Sequence, residues 1–151
     1  MDLSQYLEIF IDESKEHLQT LNDQVLILES EPENVDTVNE IFRAAHSLKG
    51  MAGTMGYKRM QRLTHDMENV FSEIRNGKMN VNADLVDIVF KCLDALEGYL
   101  TNIIETSDEG TEDNDELIAQ LNAVLQNGLA GSGEAQAAAT KEETKEEKKP
   151  E

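Results

Sequence analysis

Apolar residues recur along the chain at the three- and four-residue spacing of amphipathic helices. They do so in five segments, at 3–28, 38–52, 60–74, 85–103 and 117–125. No segment alternates apolar and polar residues for long, so we expect no β-sheet. The pattern therefore predicts an all-α fold.

Residues that end or begin helices lie between these segments. Pro32 ends the first segment because proline cannot continue a helix, and Gly77 ends the third. Asn82 or Asp84 is placed to cap the fourth. Four long helices joined by short turns pack most simply as an antiparallel up-down-up-down four-helix bundle, with the fifth, C-terminal helix laid against it.

The composition changes after residue 126. Residues 127–151 have no aromatic side chain and are rich in Ala, Gly, Lys and Glu. Such a segment buries too little apolar surface to offset the entropy lost on ordering. We therefore interpret 1–126 as one domain and 127–151 as a disordered tail, a flexible charged linker toward downstream domains that are not present here.

The overall charge excludes one broad class of function. The chain has 13 Lys and Arg against 31 Asp and Glu, a formal net charge of −18, which argues against nucleic-acid binding. Its single cysteine, Cys92, excludes an internal disulfide and a cysteine-based metal site, and suits a reducing compartment. With no signal sequence and no membrane-length apolar run, we expect a cytoplasmic protein without membrane insertion.

The acidity is interrupted in one stretch, residues 41–65, which we call the acid-free window because it contains no Asp or Glu. Charge alone fits two interpretations of this window. It is either a local anion site or a basic face that balances acidic neighbours. Its cationic side chains and histidines are Arg43, His46, Lys49, Lys58, Arg59, Arg62 and His65.

Two side chains of opposite character lie at the edges of neighbouring helical stripes. His46 falls at the edge of the second stripe and Glu68 at the edge of the third, so we expect them to meet. A carboxylate that accepts the Nδ1 proton would orient the imidazole and leave Nε2 as an exposed nucleophile. Lys49, one turn after His46, would place a positive charge where a transferred phosphoryl group develops negative charge.

Small residues share the His46 side of the second helix. Gly50 and Gly53 lie four and seven residues after His46, and they would let a partner's backbone approach closely. Helix fraying or tight helix packing is the other interpretation of these two glycines.

Residues 46–56, HSLKGMAGTMG, resemble the H-x-x-K-G signature of histidine phosphotransfer (HPt) domains. The resemblance is strongest to the N-terminal domains of chemotaxis histidine kinases of the CheA family, and it covers residues 1 to about 126. The His65-x-x-Glu68 pair, the fifth helix and the charged tail fit the same family. The resemblance implies that residues 1–126 form an HPt domain.

The resemblance also assigns roles to individual side chains. It implies that His46 is phosphorylated, that Glu68 is its hydrogen-bond partner, that Lys49 is a charge beside the phosphate, and that His65 tunes the site. The surface that meets the phosphate or the partner would include Gly50, Gly53 and Arg43.

The resemblance implies partners as well. The parent protein would be a histidine protein kinase whose ATP-binding domain, absent from this fragment, phosphorylates His46 in trans across a dimer. The phosphoryl group would then pass to an aspartate of CheY- or CheB-like response regulators. The domain itself would bind no cofactor, because ATP and Mg²⁺ belong to the kinase domain and a further Mg²⁺ to the regulator. We expect the isolated domain to be a monomer.

Two other interpretations remain open from the residues. One is a helical protein-protein interaction bundle that docks an acidic partner without phosphorylation. The other is a di-metal bundle, which needs two Glu-x-x-His pairs and two further carboxylates. His65 and Glu68 form only one such pair, in reversed order, and we therefore predict no metal site.

His17 is interpreted as a boundary histidine that could also join a histidine cluster. The methionines of the second and third segments are predicted to fill the core, namely Met51, Met55, Met60 and Met67.

Overall fold

The computed structural model describes the backbone of residues 3–137 and the side chains of residues 4–128. This part of the chain contains five α-helices and no strand, which confirms the predicted all-α class. The helices are α1 Leu3–Ser30, α2 Val35–Met55, α3 Lys58–Arg75, α4 Ala83–Thr106 and α5 Asp115–Ala137.

The helix ends follow the local sequence. The side chain of Asn82 accepts a hydrogen bond from the Leu85 backbone N–H at 2.9 Å, so Asn82 is the N-cap of α4. Gly56 ends α2 in the left-handed region at φ 82°, and Gly77 follows α3 at φ 79°. Glycine adopts this backbone conformation without the strain a side chain would add.

The first four helices form a closed ring of neighbours. α1 packs on α2 and α4, α3 packs on α2 and α4, and α5 lies against α3 and α4. α2 and α3 run antiparallel, because Gln61 packs over Gly53 near their turn while His46 meets Glu68 farther along both helices. The up and down directions of the other pairs stay a prediction.

The core is filled by aliphatic, methionine and a few aromatic side chains. Met60 and Met67 are fully buried, as predicted, whereas Met51 and Met55 are partly buried against the core. Cys92 is buried. Burial, and to a smaller extent the nearby carboxylate of Asp66, raises the pKa of its thiol to about 12. Among residues 3–137, no helix is both long and apolar enough to cross a membrane.

The fifth helix is longer than predicted. The sequence interpretation placed the domain boundary at residue 126, but α5 continues to Ala137. Ala130, Ala135 and Ala137 favour helix in this extension, whereas Gly131 and Gly133 disfavour it. The rest of the predicted linker, residues 138–151, lies outside the described residues.

An acidic loop, residues 107–114, joins α4 to α5 and covers the start of α3. Its Glu109 side chain, 5% exposed, accepts hydrogen bonds from the backbone N–H groups of Arg59 and Met60, both at 2.9 Å. Tyr57, at the N-cap position of α3, makes no side-chain cap bond. Glu109 therefore caps α3 from some fifty residues away, and its negative charge suits the helix N-terminus.

Two cations of α3 form ion pairs with carboxylates of the acidic loop and of the start of α5. Arg59 Nε lies 2.6 Å from an Asp113 carboxylate oxygen, and Arg62 Nη1 lies 2.9 Å from Asp115. The Tyr57 hydroxyl donates to the Ser107 carbonyl at 2.8 Å. These contacts fix the loop onto α3.

Replacing Glu109 by Ala is expected to lower the free energy of unfolding by about 1–3 kcal/mol, because a part-buried backbone N–H (Arg59) and a buried one (Met60) lose their acceptor. Chemical denaturation measures the change. Glu112, an exposed carboxylate of the same loop, supplies the matched control, and Glu112→Ala is expected to leave stability within about 0.5 kcal/mol. Equal stability of the two variants would contradict the capping role of Glu109.

Candidate functional site

Three polar side chains meet at the seam between α2 and α3. His46 Nδ1 is hydrogen-bonded to Glu68 Oε2, and Lys49 Nζ donates to the other carboxylate oxygen, Oε1, at 2.5 Å. His46 and Lys49 lie one turn apart on α2, so a single carboxylate on α3 reaches both. The predicted contact between His46 and Glu68 is confirmed, and the direct bond from Lys49 adds to it.

The three side chains differ sharply in exposure. The His46 side chain is 62% exposed, whereas Glu68 is 10% and Lys49 25% exposed. A buried carboxylate therefore holds Nδ1 of a largely exposed imidazole. Nε2, on the opposite side of the ring, is the nitrogen left for chemistry with a partner.

The charge state of Glu68 decides the tautomer of His46. Burial raises the pKa of Glu68, but hydrogen bonds from Lys49 and His46 outweigh burial and hold that pKa below its ordinary value. Glu68 is therefore ionised at neutral pH and can only accept hydrogen bonds. The proton of a neutral His46 must then sit on Nδ1, which leaves the lone pair on Nε2.

A groove of about 580 Å³ opens beside His46, between α1 and α2. Sequence reasoning did not find this groove because its far wall comes from α1, whose spacing to α2 the pattern does not fix. Tyr6 and Ile9 present exposed apolar surface there, and His17 is partly buried in the same wall. The groove is lined mainly by Tyr6, Ile9, Glu13 and His17 of α1 and by His46, Gly50 and Met51 of α2.

The two glycines predicted on the His46 surface have different surroundings. A Cβ at Gly53 would lie 2.5 Å from the side-chain amide nitrogen of Gln61, the movable end of a flexible side chain on α3, so Gly53 faces α3. A Cβ at Gly50 would meet nothing within 4 Å. Gly50 therefore keeps the surface next to His46 low without any internal packing reason.

Two other predicted site residues lie apart from the His46–Glu68 contact. His65 Nδ1 is 3.8 Å from its neighbour Asp66, and Arg43 pairs with Glu40 on its own helix at 3.2 Å. Both side chains are more than half exposed. The structure thus leaves His65 and Arg43 on the surrounding surface, and their roles stay predictions.

The acid-free window does not form one basic patch. Lys49 is bonded to Glu68, and Arg59 and Arg62 are paired with carboxylates of the acidic loop and of α5. Most of the excess positive charge therefore balances acidic neighbours, which was one of the two interpretations of the window. Within the described residues, no cluster of three or more His, Cys, Asp or Glu side chains is arranged to hold a metal ion.

Comparisons with known proteins identify the family of this chain. The Hpt domain family matches residues 5–127. Chemotaxis protein CheA of Bacillus subtilis (strain 168) is 53% identical over 121 residues, which cover 80% of this chain and 18% of that protein. The chain spans about a fifth of the length of the curated CheA proteins that it matches.

Solved structures give the same result. The solution structure of the histidine phosphotransfer domain of CheA aligns with a TM-score of 0.75 and 38% identity, covering 81% of this chain and 92% of that one. The phosphorylated P1 domain of CheA3 in complex with CheY6 from R. sphaeroides aligns with a TM-score of 0.77 over 83% of this chain and 99% of that one. Its 20% identity shows the fold alone. The chain therefore belongs to the Hpt domain family, as a histidine phosphotransfer domain of the CheA type.

Proposed function

We propose that His46 accepts a phosphoryl group on Nε2 and then donates it to an aspartate of a response regulator. The observation that carries this proposal is the exposed imidazole whose Nδ1 is held by a buried, ionised carboxylate. Membership in the Hpt family supports the same reaction.

The geometry suits attack by His46. The Nε2 lone pair forms a bond to the γ-phosphorus of ATP while the bond from phosphorus to the leaving oxygen of ADP breaks. The imidazole gains positive charge as the P–N bond forms, and Glu68 stabilises that charge through its hydrogen bond to Nδ1–H.

The second step, transfer to the regulator, uses the same contact between His46 and Glu68. The regulator's aspartate oxygen attacks phosphorus, the P–N bond breaks, and His46 leaves as neutral imidazole with its proton still on Nδ1. No proton has to move in either step, because Glu68 holds the Nδ1 proton throughout. This economy favours rapid, reversible transfer.

Lys49 removes an electrostatic obstacle. The domain is strongly acidic, and an unpaired Glu68 would repel an incoming phosphoryl group. The 2.5 Å bond from Lys49 neutralises the carboxylate and adds a cation near the reacting ring. The pair keeps the orienting function of Glu68 without a net negative charge.

The partners follow from the family and from the surface. We infer that a CheA-type kinase domain, acting in trans within a dimeric parent protein, supplies the phosphoryl group and holds ATP and Mg²⁺. The phosphorylated P1 domain of CheA3 occurs in complex with CheY6, which supports a CheY- or CheB-like regulator as the acceptor. The groove and the open surface at Gly50 are where such a regulator would approach.

A phosphotransfer assay tests the proposal. The 151-residue chain is incubated with a CheA kinase core, ATP and Mg²⁺, and intact mass is followed over time. We expect one phosphoryl group that is labile in acid, stable in alkali, and lost on adding a response regulator with Mg²⁺. No mass gain with an active kinase core and a folded chain would favour an interaction bundle without phosphorylation.

Replacing Gly50 by Leu is expected to slow phosphoryl uptake and discharge by about tenfold, because a side chain there holds the partner away from Nε2. The fold should become more stable by up to about 1 kcal/mol, since glycine is unfavourable within a helix. Rates and thermal unfolding are measured together.

Gly98 provides the matched control, since it also lies within a helix and has nothing within 4 Å of its Cβ position. Gly98→Leu on α4 should give the same stabilisation with unchanged transfer. Equal rates for the two variants would show that partners do not approach over Gly50.

A further inference from the structure

The His46 ring has a second neighbour that the phosphotransfer chemistry does not require. Phe42 lies one turn before His46 on α2, and the two rings are stacked with centroids 6.1 Å apart and planes 10° apart. The guanidinium carbon of Arg75, the last residue of α3, lies 3.8 Å from the centroid of the Phe42 ring. An aromatic ring and a cation therefore continue the site on the side away from Lys49.

The hydrogen bond to Glu68 leaves one freedom of the imidazole unfixed. It sets the position of Nδ1 but does not set the plane of the ring around that point. The 62% exposure of His46 means that core packing restrains the plane little. A nearly parallel aromatic ring, at a separation that aromatic pairs prefer, supplies this restraint.

Phe42 is itself held in place. Its side chain is partly buried against the core, and Arg75 lies over its face in a cation–π contact. Arg75 is at the C-terminal end of α3, where the helix dipole favours a cation. Both restraints on His46 thus lead to α3, one through Glu68 and one through Arg75 and Phe42.

We propose that Phe42, held by Arg75, is a positioning residue for His46. It keeps the imidazole plane oriented so that Nδ1 stays on Glu68 while Nε2 faces the phosphoryl group. The inference rests on the proposed function, which makes Nε2 the reacting atom. Phe42 and Arg75 act through the His46 ring.

Substitution of Phe42 by Leu tests this role, because Leu keeps apolar bulk and removes the ring. With a CheA kinase core and ATP, we expect kcat for phosphoryl uptake by the 151-residue chain to fall about three- to tenfold while KM stays unchanged. Phe42→Tyr, which keeps the ring, should restore the wild-type rate. Arg75→Gln should lower kcat in the same direction but less.

A spectroscopic readout separates positioning from general damage. In ¹⁵N NMR spectra of the unphosphorylated chain, His46 should show the distinct Nδ1 and Nε2 shifts of the Nδ1–H tautomer. These shifts should move toward each other in Phe42→Leu and stay unchanged in Lys78→Gln, which removes an exposed cation three residues after Arg75.

Wild-type shifts and a wild-type kcat in a folded Phe42→Leu chain would overturn the proposal. If that variant loses helical content, Arg75→Gln decides instead, and its identity with wild type would overturn the proposal equally. If the wild type takes up no phosphoryl group, only the proposed function is contradicted, because the NMR test of Phe42 needs no phosphorylation.

Discussion

A chain with Gln in place of His46 is expected to take up no phosphoryl group from an active kinase core. Gln lacks the nucleophilic ring nitrogen, yet its amide can still donate to Glu68. The replaced side chain is 62% exposed, so the free energy of unfolding should change by no more than about 1 kcal/mol. Intact mass reports the phosphoryl group, and circular dichroism reports the fold.

The other two histidines supply the controls for this result. His17 lies on α1 and His65 on α3, and neither takes part in the contact with Glu68. His17→Gln and His65→Gln chains should each still take up one acid-labile phosphoryl group, whatever change in rate the substitution causes. Uptake of a phosphoryl group by the His46→Gln chain would show that another residue is the acceptor.

Replacing Glu68 by Gln should slow phosphoryl uptake by about 10- to 100-fold, the range typical for loss of a group that orients a functional histidine. The amide presents one acceptor where the carboxylate offers two, so it cannot accept from both His46 and Lys49 in the same way. The volume of the buried side chain is kept, so the fold should survive. Single-turnover rates of the two chains measure the effect.

The size of this effect should depend on pH in a defined direction. Because hydrogen bonds hold the pKa of Glu68 below its ordinary value, the carboxylate stays ionised throughout the neutral range. The rate ratio between wild type and Glu68→Gln should stay constant there and shrink as the pH falls through the lowered pKa. The stability that Glu68 contributes is likewise present above its unfolded-state pKa and lost on acidification.

A carboxylate on the same helix provides the comparison. Glu73 is partly buried on α3, and Glu73→Gln removes the same charge without touching His46. Its uptake rate should match wild type at every pH. A similar slowing in Glu73→Gln and Glu68→Gln would mean that overall charge, and not orientation of His46, sets the rate.

The main helices and the central contact follow from local patterns. Apolar spacing predicts each helix. The Asn82 side chain caps the start of α4, and Gly56, which has no side chain, ends α2. His46 and Glu68 could be paired in advance because each lies at the edge of a stripe on consecutive helices.

The remaining features depend on distances that periodicity does not encode. Glu109 caps α3 from a loop that the sequence marks only as acidic, and its partners are backbone groups without a residue signature. The ion pairs of Arg59 and Arg62 with that region explain why the cations of the acid-free window do not form one basic patch. The stack of Phe42 on His46 has a usable signal, their four-residue spacing on α2, but the contact of Arg75 has none.

The most direct test is to locate the phosphoryl group on the phosphorylated chain by ³¹P and ¹⁵N NMR with ¹⁵N-labelled histidine. The arrangement of His46 and Glu68 predicts a single phosphorus coupled to Nε2 of His46, with Nδ1 still protonated. Phosphorus coupled to Nδ1 of His46, or to a nitrogen of His17 or His65, would contradict it.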